Sequence, residues 1–182
     1  MPGFFYFNRM SIKLLLPLLL LAFSANAQSD FPGKWKGHWK GKIAWYKTGA
    51  DTATMIDTQL KIFPTDSAHK WTWQLSYGNA GQDDRPYTLI AKDTSKGLWT
   101  IDENNGIVLS QYWIGNRFTG IFTVQGTTIL NNYYLDNDEL VVEFYVVAQQ
   151  PSYTSGKGTA DIPFVDSYSV KAIQRGRLVR ER

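Results

Sequence analysis

The stretch GKWKGHWKGKIAWYK, residues 33–47, sorts its side chains by position. Trp35, Trp39, Ile43 and Trp45 hold odd positions with Gly37 and Gly41 between them, while Lys34, Lys36, His38, Lys40 and Lys42 hold even ones. Successive side chains of a strand point to opposite faces, so the stretch reads as one strand with an aromatic face and a cationic face. The cationic face requires water. That excludes a membrane-spanning barrel, where a Lys near the bilayer midplane costs about 2–4 kcal/mol. The aromatic face requires cover, because each buried indole removes on the order of 150–250 Å² from water, a gross gain of about 4–6 kcal/mol. Glycines on the inner face permit sharp coiling, which suits closure into a barrel without free edges.

Period-two patterning continues through the chain, and no convincing amphipathic helix follows residue 27. TMIDTQLKIF (54–63) and KWTWQLSYG (70–78) alternate, the second grouping Trp71, Trp73, Leu75 and Tyr77. RPYTLIAKD, GLWTID, IVLSQYWI, RFTGIFTV, TTILNNYYLD and ELVVEFYVVA (139–148) follow, broken by turn residues at Asn105-Gly106, Gly115-Asn116, Gln125-Gly126 and Asp136-Asn137-Asp138. One long gap, QQPSYTSGKGTADIP (149–163), precedes a last strand at 164–174. It reads as a mobile loop able to cover one barrel mouth. The expected fold is all-β: a closed antiparallel meander barrel of about eight to ten strands.

The N-terminus reads as a secretory signal peptide over residues 1–27. Arg9 and Lys13 precede an apolar run from Leu14 to Phe23, and Ala25-Asn26-Ala27 supplies a cleavage site. The expected mature product is then one domain, 28–182, exported to periplasm or medium and soluble. Without those two basic residues, 17 Lys and Arg stand against 16 Asp and Glu. A near-neutral body gives no nucleic-acid footprint. The basic tail RGRLVRER (175–182) reads as a solvated end. Cysteine is absent, so stability rests on the core alone.

Gly33-x-Trp35, opening a meander of this length, resembles the first-strand signature of the lipocalins and the wider calycin group. The resemblance implies that Trp35 closes the barrel floor and that an Arg near the end of the last strand packs over it by cation–π contact, a role open to Arg175 or Arg177. The family's Thr-Asp-Tyr turn motif and its C-terminal helix have no counterpart here. Ten strands are similar to the fatty-acid-binding and nitrobindin-like branches. However, 47–54 holds no helical lid, His38 lies on the lysine face and His69 lies in a turn, which argues against haem ligation.

Chemistry-bearing motifs are sparse. Two separated histidines and no cysteine leave little for a transition-metal site. Asp136 to Glu139 lacks the spacing of a calcium loop and reads as a hairpin turn. Asp102 and Glu103 point apart, and SGKGT (155–159) lacks the first Gly of a phosphate loop and has Gly158 in place of the Ser or Thr that follows the Lys. No catalytic residue, metal or cofactor is therefore assigned. The aromatic excess points instead to a small apolar or aromatic ligand held by Trp39, Trp45, Trp71, Trp73, Trp99, Trp113 and Tyr134. Thr58, Gln111, Thr128, Asn132 and Tyr134 are the polar groups of inward parity. The competing expectation is an envelope interaction module with a filled core, using the lysine face or the basic tail.

Overall fold

The computed structural model describes residues 30–79 and 82–182. The segment assigned to the leader lies outside the described residues. Pro32–Arg182 forms one compact unit.

Among the described residues ten strands make a closed antiparallel meander barrel. They are β1 (Gly37–Lys47), β2 (Thr54–Ile62), β3 (Lys70–Tyr77), β4 (Asp83–Asp93), β5 (Leu98–Asp102), β6 (Val108–Ile114), β7 (Arg117–Val124), β8 (Thr127–Asp136), β9 (Glu139–Ser155) and β10 (Val165–Arg180). Each pairs with the next, and β10 returns to β1 with Ile43 opposite Gly176. Two hairpins turn on left-handed pairs, Gln125-Gly126 (φ 47° and 72°) and Asn137-Asp138 (φ 48° and 66°), as two-residue connections require.

The alternation of β1 is as the sequence predicts. Trp39 and Ile43 are fully buried, whereas Lys40 and Lys42 face solvent and pair with Glu181 (2.6 Å) and Asp57 (3.2 Å). Gly33–Trp35 departs from the ribbon: it is a 3-10 turn that feeds the strand. At the β1–β10 seam a Cβ on Gly41 would lie 2.4 Å from the Arg177 carbonyl oxygen, so this inward position admits only glycine at the observed strand spacing.

Three expectations are corrected. The inward positions of β8 are Ile129, Asn131 and Tyr133, paired with inward Phe122, Gly120 and Phe118, so Thr128, Asn132 and Tyr134 face outward. The segment TTILNNYYL doubles its Thr, Asn and Tyr, and a pattern of doublets is unchanged in type by a one-residue slip. The gap at 149–163 is strand over its first seven residues, where β9 runs on to Ser155; a loop over 156–164 then leads into β10, and the two strands form an arm beyond the barrel wall. Pro151 escaped recognition as a strand residue, yet it sits on a free edge, since the β8 partner row ends at Ala148. Finally, the basic tail is the end of β10, hydrogen-bonded to both β1 and β9.

Candidate functional site

The inner wall differs between the two ends of the barrel. At the end where β1 begins, aromatic rings fill the section. Trp35 packs against Trp113 (5.8 Å between ring centroids), Phe118 (6.3 Å) and Trp73 (6.5 Å), and Trp71 meets Trp99 at 5.6 Å. The Trp39 indole N–H donates to the Trp35 carbonyl at 2.8 Å, which fixes the turn to the strand below it. This end is a floor.

The floor arginine is Arg180 and not Arg175 or Arg177. Its guanidinium lies 4.5 Å from the Trp39 ring centroid, and Nη2 donates to the Lys34 carbonyl at 2.6 Å. Arg175 and Arg177 have the opposite parity. They point outward to Glu143 (3.4 Å) and to Asp136 and Glu139 (2.8 and 2.9 Å). The cation–π cover expected of Arg175 or Arg177 thus comes from Arg180, over the Trp39 ring, one strand-phase away from the sequence expectation.

Toward the other end the rings give way to a cavity of about 520 Å³. Trp73, Tyr133, Phe144 and Asn131 line its base; Leu109, Phe122, Ile129 and Val146 line its walls. Edge contacts of Trp73 with Tyr133 (5.2 Å) and of Tyr133 with Phe144 (5.7 Å) continue the floor's ring stack up to this surface. The rim carries Tyr77, Arg85, Tyr87, Glu103 and Ile107, from β3, β4 and the β5–β6 loop. Size and lining both fall in the range of small-molecule sites, which are mainly apolar with a few placed polar groups.

Arg85 organises the rim. Nε and Nη2 donate to the two Asp83 carboxylate oxygens at 2.9 and 2.6 Å, and the guanidinium lies 4.9 Å from the Tyr77 ring centroid. The hydrogen bond from Arg85 holds the Asp83 carboxyl below its usual range. Burial pushes the phenols of Tyr77, Tyr87 and Tyr133 upward, so all three remain neutral donors.

Of the residues picked from the sequence as ligand-binding, Trp73 lines the cavity. Trp39, Trp71, Trp99 and Trp113 belong to the floor and its surroundings. Trp45 lies on β1 with the Lys47 ammonium 4.9 Å from its ring centroid. Tyr134 is on the outer surface beneath the Arg117 guanidinium, at 3.9 Å. Sequence reasoning missed Asn131 and Tyr133 because they depend on the phase of β8, and Phe144 because the Val141-Val142 doublet leaves the phase of β9 equally open. It also missed the Arg85 rim, although Tyr77 already shared the face of Trp73.

The geometry defines a class: a closed β-barrel, sealed by rings at one end, with a one-sided interior cavity. No protein-family model matches this chain, and no curated protein matches it.

Proposed function

We propose that this protein is an exported, calycin-like carrier that holds a small, mainly apolar or aromatic molecule inside its barrel without changing it chemically. The cavity of about 520 Å³, lined by Trp73, Phe122, Ile129, Tyr133 and Phe144, is the observation that carries this reading. A filled core would have been enough for stability. Space left above a ring-packed floor instead supports a purpose for it. The leader-like N-terminus supports export, and the Gly33-x-Trp35 opening supports the calycin resemblance.

Trp73 stands at the cavity base and reports directly. In delipidated protein, pyrene-type probes are expected to quench tryptophan emission with micromolar affinity. Ile129→Trp, which fills the cavity from its wall, is expected to abolish the response while the circular dichroism stays that of the parent. Absence of any probe response by fluorescence and calorimetry would refute the carrier reading.

A second reading, an interaction module, draws support from the β9–β10 arm, where Tyr153, Phe164 and Tyr168 are exposed. The lysine face and the C-terminal arginines give it less support, since Lys40, Lys42, Arg175 and Arg177 are already paired with carboxylates.

A further inference from the structure

The polar groups of the cavity are separated by charge. The charged lining residues, Arg85 and Glu103, are both at the rim. The base carries a neutral amide, Asn131, which is 4% exposed and lies on β8 opposite Gly120 on one side and Phe144 on the other. Its Oδ1 is buried with no hydrogen-bond partner. Nearby, the fully buried Gln111 has neither amide atom satisfied, and a Cβ on Gly120 would fall 2.3 Å from its Nε2. Gly120 therefore keeps space for a second neutral amide beside the first. Buried polar groups are almost always paired, and leaving one unpaired is costly, so these amides require an explanation that apolar packing does not supply.

The geometry points to a ligand that is flat, neutral and hydroxylated, entering with its hydroxyl leading so that the hydroxyl pairs with Asn131. This deepens the carrier reading and rests on it. A hydroxyl both donates and accepts, so it matches a primary amide whichever way the amide is turned. The rings of Trp73, Phe122, Tyr133 and Phe144 provide the surface for a planar body.

Anionic ligands are disfavoured at both levels. A carboxylate at the base would be desolvated with no cation facing it. At the rim, Arg85 is committed to Asp83 through two hydrogen bonds, and Glu103 adds a further negative charge. Free fatty acids are therefore not the class this cavity selects.

The test compares hydroxypyrene, methoxypyrene and pyrene carboxylate by calorimetric titration of the full mature chain, in parent protein and in Asn131→Leu. The parent is expected to bind hydroxypyrene at least about fivefold more tightly than methoxypyrene, the worth of one buried hydrogen bond, and the carboxylate most weakly. Asn131→Leu keeps the side-chain shape and is expected to bring the first two probes within about twofold of each other. Equal binding of the hydroxyl and methoxy probes by the parent overturns the inference without needing the variant. So does a hydroxyl preference that survives Asn131→Leu, or a carboxylate that binds most tightly. Each of those three results leaves the carrier reading standing, whereas failure of all three probes to bind removes both.

Discussion

Arg180 joins the two ends of the barrel sequence through a single side chain. It covers the Trp39 ring and reaches the Lys34 carbonyl, while Trp39 itself holds the Trp35 carbonyl. Arg180→Met is therefore expected to cost about 1–2 kcal/mol, as a cation–π contact and a charged hydrogen bond are lost together. Arg177→Met, which removes surface ion pairs, is expected to cost less than about 1 kcal/mol. Urea midpoints of the two variants check the ranking, and a larger loss at Arg177 would contradict it. The resemblance led to an arginine over Trp35, whereas the ring covered by a guanidinium at this end is that of Trp39, under Arg180. Three arginines lie within RGRLVR, and only the phase set by Gly176 and Leu178, inward opposite Ile43 and Gly41, selects the third.

At the level of elements, legibility followed how asymmetric each alternation is. β1 separates Trp from Lys and so fixes its own phase. The doublets of β8 do not, and the phase there comes from its neighbours, through Phe118 opposite Tyr133 and Phe122 opposite Ile129. The arm at the end of β9 was hidden for a different reason. A two-stranded ribbon with solvent on both faces has no buried side to impose alternation. Its closing loop is nevertheless ordered, with Lys157 and Thr159 N–H groups both donating to the Ile162 carbonyl. Because the arm adds little to the core, excising residues 150–169 and joining the ends by a short turn is expected to leave a cooperatively unfolding barrel. The excision spares Gln149, whose N–H donates to Gly126, and Val170, whose carbonyl accepts from the Thr48 hydroxyl. Its melting temperature should fall within about 5 °C of the parent, measured by circular dichroism. A non-cooperative melt would show instead that the arm is integral to the barrel.

Across the whole molecule, stability should form a plateau in pH with two different edges. Asp83, Asp84 and Glu181 have carboxyls held below their usual range by Arg85, by Ser76 with Gln74, and by Lys40 respectively. A depressed folded-state value means that the unfolded chain takes up protons first. The stabilisation is thus present above about pH 4–5 and is lost as pH falls further. Tyr133 lies on the opposite side of the ledger, since burial raises its phenol and an unfolded tyrosine ionises near pH 10. Its contribution is complete below that value and is lost as pH rises above it. Urea midpoints across pH should trace both edges, and Tyr133→Phe should make the alkaline edge shallower, leaving the share contributed by the raised Tyr77 and Tyr87 phenols, without moving the acid edge. Closure, an aromatic interior and a wet outer lysine row could be read from residues 33–47. The position of the cavity could not, because it depends on which end the rings fill, and that follows from the 3-10 turn that tucks Trp35 under the first strand. With that stopper in place the interior is a cup and not a conduit. Any occupant departs through the opening by which it arrived, so exchange is governed by the few side chains around Tyr77 and Ile107. On the proposed carrier reading, an acceptor would have to meet the same lip from which the arm rises.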